Sequence, residues 1–160
     1  MAVEPDSAGV RFPPPFVYLG ALLLGLAAER FVTLRSFGID WRLLVATGAL
    51  LFVAGAAMML AAAGLFRRLG TNVPPSQPTT LIATTGPYRW TRNPMYLGHL
   101  IFLTGLTFTF QSWLAGLITI VVALWFHTRV LKDEKKLIQV LGPPYENYLA
   151  RVKRWIPGLF

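Results

Sequence analysis

The chain has 160 residues, 54% of them hydrophobic, and a mean hydropathy of +0.53, which is one domain's length with more apolar surface than an ordinary soluble core can hide. Fifteen Lys and Arg against seven Asp and Glu leave a net charge of +8, but the basic residues flank long apolar runs, as in cytoplasmic loops of membrane proteins and unlike a nucleic-acid surface. There is no cysteine, which excludes disulfides, zinc–thiolate sites and cysteine nucleophiles.

Residues 1–10 carry Glu4 and Asp6 and lack a basic segment, and Pro13, Pro14 and Pro15 precede the first apolar run. A secretory signal has the opposite order of charge, so none is expected. A helix needs ~20 apolar residues to cross the hydrocarbon core. Four segments approach this, at about 16–34, 41–66, 94–110 and 113–130. All should be helical, because a chain in lipid must satisfy its own backbone hydrogen bonds. The expected fold is all-α: one integral membrane domain, 1–160, with about four transmembrane helices and a C-terminal amphipathic helix.

Glu29 and Arg30 interrupt the end of the first segment. They read as solvated end residues near the non-cytoplasmic interface. The second segment is rich in small residues (Ala54, Gly55, Ala56, Ala57, Ala61, Ala62, Ala63, Gly64), which allow close helix approach in lipid. Trp41, Trp113 and Trp125 fall near helix ends, as interfacial aromatics do.

The loops set the orientation. Residues 70–93 form a long connection whose Pro74, Pro75, Pro78 and Pro87 deny it a continuous helix. Arg67, Arg68, Arg89 and Arg92 flank and enter it without any acid, and the tail, 131–160, is also basic. Both belong on the cytoplasmic side, which puts the N- and C-termini there too, and the pattern fits a bacterial inner membrane. Gln111 and Ser112 alone join the third and fourth segments, so those helices must be antiparallel neighbours. In the tail, Gly142 breaks the helix and Pro143 and Pro144 start another. Tyr145, Tyr148, Leu149, Val152 and Trp155 then share one face, with Arg151, Lys153 and Arg154 nearer the other. Such a helix lies on the membrane or caps the bundle.

Two clusters carry the candidate chemistry. The first, residues 86–98, opens the third helix, where Pro94 suits the first turn and Asn93 can cap it. A helix N-terminus receives a carboxylate or phosphate well, although Arg, Tyr and Trp here also read as an interfacial anchor. The second runs from Arg129 to Glu134; Arg129 and Asp133 are four apart and share a helix face, as an ordinary ion pair would. The two-residue turn brings both clusters to the same cytoplasmic rim. His99 and His127 either line that rim or pack as core residues, and they lie too far apart in sequence to imply a metal.

The run Thr84-Thr85-Gly86-Pro87-Tyr88-Arg89, followed by Arg92-Asn93-Pro94-Met95-Tyr96-Leu97-Gly98, resembles the isoprenylcysteine carboxyl methyltransferase and phospholipid methyltransferase superfamily. So do Arg129, Asp133-Glu134, Leu137, Leu141-Gly142, Tyr145, Tyr148, Val152 and Ile156-Pro157. The resemblance covers about half the chain, 80–157. It implies a membrane methyltransferase using S-adenosylmethionine without a Rossmann domain. It carries cofactor contact to Thr80, Leu81, Ile82, Ala83 and Tyr88 in the loop, to Asn93, Pro94, Met95 and Tyr96 at the helix start, and to the Asp133-Glu134 pair. Arg129 takes the position near the substrate. Asn93 stands where carboxyl methyltransferases have His, which is closer to the phospholipid branch, and Asp133 is one methylene shorter than the usual Glu.

The implied acceptor is lipophilic and enters from the membrane lipids: a prenylated carboxylate, a phospholipid amine or another isoprenoid-like molecule. Methyl transfer needs mainly positioning and desolvation, and no acid–base constellation is visible. One alternative is a related NADPH-dependent lipid reductase, against which Asp133 argues by favouring a cationic cofactor. Another is a scaffold or small transporter; a transporter carries polar groups at mid-membrane, whereas the second helix has none and the fourth only Thr119.

Overall fold

The computed structural model describes residues 14–29, 31, 38–70 and 81–156. Thr80, Arg30, the prolines at 74, 75 and 78, and Pro157 lie outside them. Among the described residues five α-helices follow one another: α1 (Pro14–Ala28), α2 (Trp41–Arg68), α3 (Pro94–Phe110), α4 (Trp113–Leu141) and α5 (Pro143–Arg151). A single 3-10 turn, Gly86–Arg89, precedes α3. No strand occurs among the described residues.

Local chemistry sets the boundaries. Asp40 accepts the Arg42 N–H at 2.7 Å and starts α2. Gln111 takes a left-handed conformation (φ 53°) and ends α3. Ser112 then caps α4 by accepting the Ala115 N–H at 2.9 Å. The fourth helix does not stop at 130. It runs unbroken to Leu141, because Lys and Glu end the apolar stretch without ending the helix, and only Gly142 (φ 59°) does that. The tail helix is shorter than its amphipathic pattern: α5 ends at Arg151, and residues 152–156 leave it as extended chain and bends. Its apolar face caps the bundle, with Tyr145 and Tyr148 buried against Ile82, Leu137, Ile138 and Leu141.

α1 is also shorter than the 16–34 expected, ending at Ala28. Glu29 follows in a turn, and it is more than a solvated end residue. Its Oε1 accepts the Leu114 N–H in the first turn of α4 at 3.1 Å. A carboxylate there satisfies a free donor and meets the positive end of the helix dipole.

The tightest contact is between α2 and α3. It rests on four glycines spaced seven apart on antiparallel helices, Gly48 against Gly105 and Gly55 against Gly98. A Cβ at Gly55 would sit 2.5 Å from the Phe102 nitrogen and 2.6 Å from the Gly98 oxygen. At Gly105 it would sit 2.5 Å from the Phe52 nitrogen. The backbones therefore touch, and the Phe52 and Phe102 rings meet beside them, tilted, with centroids 4.4 Å apart. Only part of the small-residue run in α2 serves this purpose. Gly55 and Ala62 are buried, while Ala54, Ala57 and Ala61 are exposed and a Cβ at Gly64 would meet nothing. A second close pair joins α1 to α4, where Gly25 lies against Ala115. Leu103, Val122 and Phe126 bridge α3 and α4.

The exterior is apolar. Leu43, Leu50, Val53 and Leu60 on α2, and Leu117, Ile120, Val121 and Leu124 on α4, all face outward. Only 17% of the most apolar window of α2 and 22% of that of α4 is buried, the reverse of a soluble core helix. At 28 and 29 residues these two helices are long enough to cross a membrane. α1 and α3, with 15 and 17 residues, are shorter apolar helices.

Candidate active site

The polar end of the molecule forms where the start of α3 meets the outer part of α4. The Tyr96 hydroxyl lies 3.5 Å from Asp133 Oδ2, the outer limit of a hydrogen bond. The Arg129 charge acts on both groups. Phe126 packs against the Tyr96 ring with centroids 5.0 Å apart, making the inner side of this triad apolar. The three residues come from two clusters that the short α3–α4 turn folds together.

The loop into α3 alternates its faces. Tyr88 is buried, stacked on Phe66 at 5.0 Å with the planes nearly parallel, and grouped with Ala62, Ala83 and Met95. Burial pushes its phenol well above the ordinary tyrosine value. Arg89 and Trp90 point outward, the guanidinium 5.6 Å from the indole centroid. One cluster thus holds both an outward Arg–Trp pair and an inward wall, on neighbouring residues.

Of the residues expected to contact a cofactor, Ala83 and Tyr88 line this inner wall, and Ile82 turns toward α5. Leu81 is exposed, and Thr80 lies outside the described residues. Pro94 is fully buried at the first position of α3, and Met95 joins the Tyr88 group. Asn93 does not cap the helix as its type and position predict. Its side-chain amide donates instead to the Arg154 carbonyl at 3.2 Å, and no side chain caps α3. The tail competes for Asn93 and wins it. Glu134, next to Asp133, is turned away from the triad and engaged by two guanidiniums. Arg154 Nε and Nη2 donate to Oε2 at 2.9 and 2.8 Å, and Arg92 Nε approaches Oε1 at 3.4 Å without hydrogen-bond alignment.

The histidines are held. His99 Nδ1 lies 2.7 Å from the Met95 carbonyl one turn earlier. His127 Nδ1 lies 3.1 Å from Trp155 Nε1; an indole N–H only donates, so Nδ1 is the acceptor there. Sequence reasoning placed Thr91 and Arg92 in the first cluster and Arg154 on the polar face of the tail, but gave none of them its partner. Thr91 is buried and donates its hydroxyl to the Arg154 carbonyl at 2.9 Å, a partner 63 residues away with no local signal. Tyr148 was legible as an inward residue, but its 2.6 Å bond to the Tyr88 carbonyl was not.

Residues 43–141 match the family model described as phospholipid methyltransferase. The chain belongs to the phospholipid methyltransferase family. The match runs from the start of α2 to the end of α4, so it includes Tyr96, Arg129 and Asp133 and leaves out α1 and α5. Membership in this family and the two spanning-length helices place the chain in a membrane. The protein-S-isoprenylcysteine O-methyltransferase of Schizosaccharomyces pombe (strain 972 / ATCC 24843) is 30% identical over 78 residues, 48% of this chain. The chain covers 33% of that relative's length.

Proposed function

We propose that this chain is a membrane-embedded methyltransferase that uses S-adenosylmethionine and a lipophilic acceptor. The observation that carries the reading is the convergence of Tyr96, Asp133 and Arg129 at one apolar-backed rim. Bound there, S-adenosylmethionine would supply a sulfonium-activated methyl group. The residues present fit such a donor. Asp133 is a carboxylate for its ammonium, and the Tyr96 hydroxyl orients that carboxylate. The first turn of α3, with no side-chain cap, offers N–H groups to an anionic end. Ala83, Tyr88 and Met95 form an apolar wall against which a flat base would lie.

Arg129, one helical turn before Asp133 on α4, is the group that would dock an anionic acceptor by a bidentate pair. A carboxylate acceptor needs no base. An amine must lose a proton, and neither Tyr96 nor Arg129 is suited to take one. Phe126, Leu103 and Val122 exclude water from the inner side of the triad, which favours transfer to an acceptor arriving from lipid. All four apolar helices, α1 to α4, cross the membrane in this reading. The basic loop before α3 and the tail are cytoplasmic, as are both termini, in keeping with the outward Arg67, Arg68, Arg89 and Lys153.

The test is calorimetric titration of the detergent-solubilised protein with S-adenosylmethionine and with S-adenosylhomocysteine. Saturable binding that Asp133→Ala abolishes is expected. A folded protein that binds neither compound refutes the reading.

A further inference from the structure

Three consecutive residues beyond α5 reach three separate parts of the candidate site. The Lys153 carbonyl accepts the Arg92 N–H at 3.0 Å. The Arg154 carbonyl accepts both the Thr91 hydroxyl, at 2.9 Å, and the Asn93 side-chain amide, at 3.2 Å. Thr91 is a relay, since its hydroxyl also accepts the Asn93 backbone N–H at 3.2 Å. The Arg154 guanidinium grips Glu134, and the Trp155 indole donates to His127 on the same helix.

Asp133 and Glu134 are neighbours on α4, so their side chains point about 100° apart around the helix axis. One faces Tyr96 and Arg129, the other Arg92 and Arg154. Glu134 is only 8% exposed, and Arg92 and Arg154 are the cations it faces. Fixing Glu134 therefore fixes the rotation of α4 that aims Asp133. The same Arg154 sets the position of Asn93 through its carbonyl. The family match ends at residue 141, so this strap lies beyond the matched region.

We propose that Arg154 is a positioning residue for the donor site: it acts through Glu134 on the aim of Asp133 and through its carbonyl on Asn93, with residues 153–155 as a strap closing the loop onto α4. This rests on the methyltransferase reading. It divides the acidic pair, Asp133 facing the donor and Glu134 anchoring the strap.

The test measures S-adenosylhomocysteine affinity by calorimetry on the full chain. Arg154→Ala and Glu134→Ala are each expected to weaken binding roughly 10-fold or more, on the scale of the loss when the support of a metal-ligating side chain is removed. The double variant should be no weaker than the worse single one, because the two residues act as a unit. Glu29→Ala, which removes the acceptor of the Leu114 N–H and loosens the opposite end of the bundle, should leave affinity unchanged and so separate positioning from general destabilisation. Thr91→Val should weaken binding several-fold and Thr91→Ser should restore it; this pair decides the matter if Arg154→Ala does not fold. Hydrogen exchange at residues 91–93 of the ligand-free protein should quicken in Thr91→Val. Wild-type affinity in folded Arg154→Ala, or equal affinities for Thr91→Val and Thr91→Ser, overturns the strap and leaves the donor site standing. A wild-type protein that binds no S-adenosylhomocysteine overturns the methyltransferase reading and the strap with it.

Discussion

Gly55→Ala probes the contact that holds α2 to α3. The added methyl would meet the Phe102 nitrogen at 2.5 Å, the Gly98 oxygen at 2.6 Å and the Phe102 Cα at 2.9 Å. All three atoms are backbone, so no side-chain rotation relieves the clash. The helices must separate, and the tilted Phe52–Phe102 ring contact at 4.4 Å loosens with them. Overpacking costs about 1–3 kcal/mol, and rigid backbone obstacles put this site near the upper figure. Alanine recovers about 1 kcal/mol of helix propensity over glycine. The net loss is then about 2 kcal/mol. Gly64→Ala, on the same helix with nothing within 4 Å of the new Cβ, keeps only the gain. The two variants should differ by about 3 kcal/mol in stability. Reversible unfolding of each variant in mixed detergent and dodecyl sulfate micelles, followed by far-ultraviolet circular dichroism, measures that difference. Equal midpoints for the two would mean that α2 and α3 do not meet through their glycines.

Glu29→Ala removes the acceptor of the Leu114 N–H and should destabilise the protein by about 1 kcal/mol, as loss of an N-terminal cap does, without altering ligand binding; the same unfolding assay checks it. Burial pushes the phenols of Tyr145 and Tyr148 upward, with Tyr88 raised by the same cause. Their folded pKa values exceed the unfolded value near 10, so the contribution is fully present below pH ~10 and is lost as pH rises beyond it. Stability should therefore fall steeply in that alkaline range. A pH titration of unfolding midpoints should show a shallower fall for Tyr148→Phe, and a profile flat above pH ~10 would contradict the burial. Arg129→Ala should reduce turnover more than donor affinity. The comparison of initial rates with calorimetry decides this, and equal losses in both would move Arg129 from the acceptor side to the donor side.

Much of the candidate site could be read along the chain because its parts are local. The Gln111-Ser112 turn is too short for anything but antiparallel helices, so it forces residues 94–98 and 129–134 to one rim, and the Tyr96–Asp133 approach at 3.5 Å is that consequence. The start of α3 at Pro94 and the break at Gly142 were legible in the same way, whereas the Asp40 cap of α2 and the left-handed Gln111 came from the structure. Asn93 was misjudged for a physical reason. Its type favours capping, but a carbonyl 61 residues away offers its amide a better partner.

Composition and the length of the apolar runs by themselves determined that this chain is helical and belongs in lipid, because backbone hydrogen bonds leave an apolar segment in a bilayer that solution. They also placed the charged residues at helix ends. Only the tertiary structure decided which small residues are contacts and which face outward, since the same run of Ala and Gly in α2 does both. It decided that Glu29 caps α4 and that Glu134 belongs to Arg92 and Arg154. Those pairings join residues from separate elements, and a buried charge finds its partner by proximity in space, which sequence spacing does not encode.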